Sequence, residues 1–222
     1  MELVIIVNGN VMKRVSILAP SHNCARHTRL ANLTITMMEN SKIKVITVTS
    51  DPTNQGVHNL IGSLTMFGWD FQVIPCIWQG FGTKIIKTYE YLKEHPEIEH
   101  FIFCDANDVV VLGTEDEFIE KMDYFGLDCF ICSAEKNLWP PILKPFIKAF
   151  GEDNKNGFNY LNSGLYYAPS KLFIQYVEEY PPFNEIDDQF WFNMLCIISE
   201  DDIDAIYLDT HQTLFNSHSF IK

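Results

Sequence analysis

Lys44-Val45-Ile46-Thr47-Val48-Thr49 is a run of β-branched residues with a charge only at its start, and Asp51-Pro52-Thr53-Asn54 stops it. Past that stop, Val57, Leu60, Ile61 and Leu64 recur at the three- and four-residue spacing of a helix face. A buried strand, a turn and an amphipathic helix in this order make a βα unit. The pattern then repeats. Phe71 to Pro75 reads as a second strand, Thr83 to Glu94 as a helix with Ile85, Ile86, Tyr89 and Leu92 on one face, and His100-Phe101-Ile102-Phe103-Cys104 as a further apolar strand. Glu115 to Met122 is expected to be helical, Asp128 to Cys132 a strand, and Tyr160 to Ala168 another. Lys171 to Glu179 and Asp188 to Ile198 follow as helices, and Ala205 to Leu208 as a last strand. The alternation predicts an α/β domain over residues 42–222, with a mostly parallel, Rossmann-like sheet flanked by helices. Residues 1–41 hold a separate strand candidate, Val15 to Ala19, and a helix ending near Asn40, expected to form an extra βα unit on the same domain.

The 222 residues, 47% hydrophobic and 20% charged, suit one domain with a substantial core. A formal net charge of −13 argues against tight, purely electrostatic binding to nucleic acid, which depends on Lys and Arg neutralising phosphates. The six cysteines mostly sit in apolar, strand-like contexts without paired CxxC units, so they read as reduced core thiols rather than a zinc site. The first twenty residues carry no basic leader, and Asn8 to Asn10 break their apolar run far short of membrane-spanning length. The expected location is therefore cytoplasmic, or the host cytoplasm if the gene is viral, with no membrane partner.

The sharpest chemical feature is Phe103-Cys104-Asp105-Ala106-Asn107-Asp108-Val109-Val110, where two carboxylates lie between two apolar runs. In open α/β sheets ligands collect outside the carboxyl ends of strands, and hard oxygen ligands suit Mn²⁺ or Mg²⁺ bridging a diphosphate. Asp105 and Asp108 are accordingly metal-ligand candidates. The plainer alternative is that Asp105 caps a turn while Asp108 is solvated. Other residues are equally two-sided when read alone. Lys84 is a phosphate-binding ammonium or a solvated helix lysine, and Trp78 is a base-stacking platform or a core tryptophan. Asn162-Ser163-Gly164 places small polar groups inside an aromatic strand, which is unfavourable unless they meet backbone or ligand. Asp187 and Asp188 precede Gln189-Phe190-Trp191-Phe192, where they could cap a helix, work near a reacting sugar, or do both.

Taken in order, these segments resemble the glycosyltransferase domain of procollagen lysyl hydroxylases, from about Lys42 to Phe215. The strand Lys44 to Thr49 resembles that domain's opening strand. Trp78-Gln79-Gly80 and Gly82-Thr83-Lys84 resemble its Trp-Arg-Gly and Gly-Gln-Lys segments, and Asp105-Ala106-Asn107-Asp108-Val109 its Asp-x-x-Asp-Val metal motif. Ser133-Ala134-Glu135 with Trp139-Pro140, Tyr160-Leu161-Asn162-Ser163-Gly164, and Asp187-Asp188-Gln189-Phe190 match further segments. Leu208-Asp209 with Phe215-Asn216 completes the series.

The resemblance implies a metal-dependent GT-A-type glycosyltransferase with Mn²⁺ or Mg²⁺ as cofactor. It would move glucose or galactose from a UDP-sugar to a hydroxyl acceptor on a protein, hydroxylysine-like, or on a glycan, with a modified nucleobase left open. Thr47, Thr49, Trp78, Lys84, Asp105, Asn162, Ser163 and Gly164 would bind the donor. Trp139 would lie on the acceptor side, and Glu135, Asp187 and Asp188 would supply the catalytic carboxylates. The family's third metal ligand is a histidine in a His-Gly-Asn-Gly-type segment that does not occur in this sequence, so His218 is the candidate substitute, ahead of His211. Two rival readings remain: a non-catalytic module that binds sugar nucleotide or glycan, and a metal-dependent nucleotidyl or phosphoryl transferase, which the lack of a GxxxxGK[ST] loop disfavours.

Overall fold

Alternate residues of a strand point to opposite faces of its sheet, so a strand apolar at every position must be covered on both sides. β2 (Lys44–Thr49) and β4 (His100–Cys104) are buried along nearly their whole length in this way, and with β3 (Phe71–Pro75), a half-buried edge strand, they lie parallel in the order β3-β2-β4. The computed structural model describes residues 6–7, 43–123, 125–145, 156–198 and 206–217. β4 continues the sheet through β7 (Tyr160–Pro169), β6 (Phe130–Glu135) and β8 (Ile206–Asp209), giving a six-stranded order β3-β2-β4-β7-β6-β8. β7 is antiparallel to both neighbours and β8 is parallel to β6, so β7 alone opposes the other five. The expected mostly parallel sheet is therefore present.

Helices cover both faces. α1 (Gln55–Met66) and α3 (Glu115–Met122) pack Leu60, Leu64, Phe118 and Met122 against Val45, Ile102, Cys104, Ile131 and Tyr167. On the other face α2 (Gly82–Glu94), α4 (Ser170–Glu179) and α5 (Asp188–Ile198) set Ile85, Leu92, Phe173, Trp191 and Phe192 against Ile46, Val48, Phe101, Phe103 and Tyr166. Local signals fix the helix starts. Asn54 accepts a bond from the Gly56 amide, and Thr114 with Glu117 forms a capping box that satisfies amides at the start of α3.

A small second sheet joins β5 (Val109–Val110), β1 (Ile6–Val7) and β9 (Asn216–Ser217). The strand and helix expected within residues 8–41 lie outside the described residues. Several boundaries moved: the strand expected at 128–132 runs Phe130–Glu135, the last strand runs Ile206–Asp209, and α2, β7 and α4 each extend one residue beyond their expected bounds. Asp209 is fully buried, and its carboxylate accepts from the amides of Thr213 (2.8 Å), Leu214 (2.7 Å) and Phe215 (2.8 Å). It thereby turns the chain back so that Leu214 and Phe215 enter the core beside Phe118. Burial pushes its carboxyl above the usual aspartate range, which the three amide bonds only partly oppose.

Five cysteines among the described residues are free thiols, four of them buried, as expected of reduced core positions. No helix among the described residues is long and apolar enough to cross a membrane.

Asp209→Ala leaves three amides, two of them buried, without an acceptor and should lower unfolding stability by about 3 kcal/mol in urea titration, whereas Asp209→Asn, which keeps one acceptor oxygen, should lose less.

Candidate active site

Asp105 is the first residue beyond β4, and the alternation that points Phe101 and Phe103 to the α2/α5 face points Asp105 there too. Its amide extends the ladder by donating to the Gly164 carbonyl at 2.7 Å. From α2 comes Lys84, whose Nζ lies 2.8 Å from Asp105 Oδ1 and 2.5 Å from Asp188 Oδ2 at the start of α5. Residues far apart in sequence thus meet at the carboxyl end of the sheet. The Lys84 and Asp188 side chains are only 10% and 8% exposed, whereas Asp105 keeps 31% of its side chain open to the cleft. Burial alone would lower the Lys84 pKa, but the two carboxylates outweigh it and hold the ammonium charged. Burial likewise pushes the carboxyls of Asp105, Asp108 and Asp188 upward, with Lys84 pulling each back in part.

β7 is not a plain strand here. Cys132 pairs with Tyr166 but Ser133 pairs with Asn162, so Ser163, Gly164 and Leu165 have no partner on β6. Bulges of this kind re-aim side chains beside functional sites. Asn162 closes the bulge by accepting from the Gly164 amide at 2.9 Å, and Ser133 Oγ lies 3.3 Å from its side-chain and main-chain oxygens. Gly164 sits opposite Asp105, and a Cβ there would come within 2.6 Å of Asp105 Oδ2. Ser163 bonds to Asp188. The Asn-Ser-Gly segment therefore meets backbone and carboxylates of the chain itself, and through them shapes the cleft.

The two aspartates at the start of α5 divide their work. Asp187 caps the helix, accepting from the Phe190 amide at 2.8 Å, and its other oxygen accepts from Trp139 Nε1 at 2.8 Å. Asp188 faces inward to Lys84. Glu135, at the end of β6, accepts from Gln189 Nε2 at 2.6 Å, and burial raises its carboxyl above the usual range against the bonds from Gln189 and Asn162. Trp139 is half exposed, and its carbonyl accepts from Asn193.

The loop over residues 77–81 and the first turn of α2 close the other side. Gly80 has φ of +138°, and a Cβ there would meet the Asn184 carbonyl at 2.2 Å. That carbonyl accepts from the Gly82 amide at 3.0 Å. The Asn184 side chain donates to Gln79 Oε1 at 2.7 Å, and its Oδ1 accepts from Thr83 Oγ1 at 3.2 Å. Sequence reasoning assigned nothing to Asn184, because a lone Asn between Phe183 and Glu185 carries no motif. Trp78 is not a core residue: it is 41% exposed, edge-on to the exposed Phe81 at 5.7 Å. Thr47 is buried with an unpartnered hydroxyl, and Thr49 accepts from the Asp51 amide at 3.1 Å in the turn after β2.

As metal ligands, Asp105 and Asp108 offer hard oxygens beside a cleft. Among the described residues no group of three or more His, Cys, Asp or Glu side chains is placed to hold an ion. By their chemistry the two carboxylates would suit a hard divalent cation able to take its other ligands from phosphate or water oxygens. His218 lies outside the described residues. His211 is exposed on the turn after β8, beside Thr210 at 3.3 Å.

A family model described as the PLOD GT domain matches residues 39–219. No curated protein matches the chain. Among solved structures, a glycosyltransferase involved in glycosylation of the major capsid of PBCV-1 is 11% identical, covering 75% of this chain and 81% of that one at a TM-score of 0.48. Mouse xyloside xylosyltransferase 1 is 12% identical, covering 82% and 96% at 0.47. The 4-diphosphocytidyl-2C-methyl-D-erythritol synthase of Anaerococcus prevotii DSM 20548 is 14% identical, covering 78% and 88% at 0.46. Likenesses of this strength carry no argument about activity.

Asn184→Ala removes the side-chain clasp between the two loops and should cost about 1 to 2 kcal/mol of stability, read as a lower urea midpoint. Glu135→Gln tests the raised carboxyl. The folded chain binds the Glu135 proton more readily than the unfolded chain, so this group's contribution to stability falls as pH rises from the ordinary glutamate value through the folded one. Unfolding titrations should therefore show the variant gaining on the unaltered chain across that rise, with the difference shrinking on acidification.

Proposed function

Since the chain belongs to the PLOD GT domain family, the glycosyltransferase domain of procollagen lysyl hydroxylases, we propose that it transfers glucose or galactose from a UDP-sugar to a hydroxyl acceptor. Family membership establishes nucleotide-sugar transfer in general, with a nucleotide-sugar donor and a hydroxyl acceptor as partners. The observation that supports the finer reading is the Lys84 ammonium held between Asp105 and Asp188 at the carboxyl end of β4, with an exposed aromatic pair on one side and a tryptophan–carboxylate pair on the other.

Each part has a role in this reading. Trp78, with Phe81 beside it, offers a face for the uracil ring, and Thr47 and Thr49 at the end of β2 lie on the nucleotide side. Lys84 supplies a compact positive charge for diphosphate oxygens. Asp105 and Asp108 would hold Mn²⁺ or Mg²⁺, which when bound supplies Lewis-acid stabilisation of the leaving diphosphate. Asn162, Ser163 and Gly164 form the floor beneath the sugar: their bulge brings backbone close to Asp105 and directs Ser163 onto Asp188. Asp188 then stands on the donor side, where a carboxylate favours positive charge developing at the anomeric carbon. Asp187 stands with Trp139 on the acceptor side. Glu135, whose proton affinity is raised by burial, is suited to take the proton of the acceptor hydroxyl. A hydroxylysine-like side chain is the acceptor that the family implies.

UDP release from a panel of UDP-sugars, with Mn²⁺, Mg²⁺ or EDTA and no added acceptor, tests the donor site. Release of UDP from UDP-glucose or UDP-galactose is expected, lost with EDTA and reduced at least about 100-fold in both Asp105→Ala and Asp108→Ala. Metal-dependent binding of UDP without any release would instead mark a non-catalytic binding module, and absence of UDP binding would remove the UDP-sugar reading.

A further inference from the structure

The Lys84 ammonium already occupies the carboxylate to which the donor reading assigns a metal. Its Nζ sits 2.8 Å from Asp105 Oδ1, while Oδ2 of the same carboxylate lies over Gly164, where a Cβ would come within 2.6 Å. A cation approaching either oxygen of Asp105 therefore meets a charged ammonium one carboxylate away. The lysine is held there firmly. Its side chain is 10% exposed, its second partner Asp188 is 2.5 Å away, and the rings of Phe81 and Phe103 lie 5.8 and 5.9 Å from Nζ.

Resting on the donor-site reading above, we propose that Lys84 is an internal counter-ion that competes with the divalent metal for Asp105. The consequence is an order of binding. In the nucleotide-free chain, Lys84 neutralises part of the charge of Asp105 and Asp188, and its repulsion weakens the hold of Asp105 and Asp108 on a dication. Incoming diphosphate oxygens give the ammonium a second set of acceptors and contribute ligands to the metal, so that Asp105 is released to the ion as the donor arrives. Asp188 is the anchor that keeps Lys84 near the cleft during the exchange. Metal and nucleotide are thereby coupled through a side chain that need bind the metal in neither state.

The test is a Mn²⁺ titration of the nucleotide-free chain, with free aqua-Mn²⁺ read by electron paramagnetic resonance. Lys84→Gln keeps an amide donor for the buried carboxylates but removes the charge, and it should bind Mn²⁺ about tenfold more tightly than the unaltered chain. Asp188→Asn, which leaves Asp105 as the only carboxylate of the pair for Lys84, should bind Mn²⁺ several-fold more weakly. Equal or weaker binding by Lys84→Gln overturns the proposal. Should that variant not fold, equal or tighter binding by Asp188→Asn overturns it instead. Titration of the unaltered chain with UDP present separates the two levels: Mn²⁺ held more tightly with UDP than without upholds the donor site whatever the variants do, whereas no Mn²⁺ binding in either condition removes the donor-site reading and this inference together.

Discussion

Helix α2 delivers an ammonium to the end of β4, and helix α5 brings a carboxylate to the same point from the other half of the chain. Asp105 and Asp188 are like charges in a partly dehydrated cleft, and without a cation between them each would disfavour ionisation of the other. Lys84 makes the approach of α5 to the sheet electrostatically tolerable. Removing one partner of such a buried group leaves an uncompensated charge, the most costly outcome at a site of this kind. The same lysine is thus a structural tie and, in the proposed reaction, the group that faces the diphosphate.

Around that tie the chain gives up regularity where the chemistry needs room. From Ser163 to Leu165, β7 loses its pairing with β6 while keeping β4 on its other side, and the Asn162 side chain takes up the Gly164 amide there. Gly80 and Gly164 are glycines for steric reasons: one abuts the Asn184 carbonyl and the other the Asp105 carboxylate. The Asn184 clasp and the Trp139–Asp187 bond then fix the segments on either side, so the polar groups between them are held in place by contacts within the chain.

The fold was legible in the sequence because hydrophobic periodicity is a local property. Lys44 to Thr49, Phe71 to Pro75, His100 to Cys104 and Asp188 to Ile198 have the bounds that their patterns gave. The strand expected at 128–132 runs on through Ser133-Ala134-Glu135, because their pairing with Tyr160, Leu161 and Asn162 is a long-range contact that overrides weak local propensity. The motif residues were legible as types of chemistry too: Asp105 and Asp108 past an apolar strand, Lys84 at a helix start, Asp187 and Asp188 at another.

Their division of labour was not legible. Whether Asp187 or Asp188 faces the cleft depends on the rotation of α5 against the sheet, set by Trp191, Phe192 and Leu195 packing on Phe130 and Tyr166. Lys84 reads equally as a solvated helix lysine until α2 is seen against β4. Asn184 carries no signal at all, since its partners Gln79 and Thr83 lie about a hundred positions away and an amide that bonds to loops needs no periodicity. The sequence by itself determined the α/β layering and the inventory of carboxylates, lysine and aromatics, because burial patterns and side-chain chemistry are written residue by residue. Only the tertiary structure decided which carboxylate meets the lysine and which meets the tryptophan, because those contacts arise from packing between segments that the order of residues leaves independent.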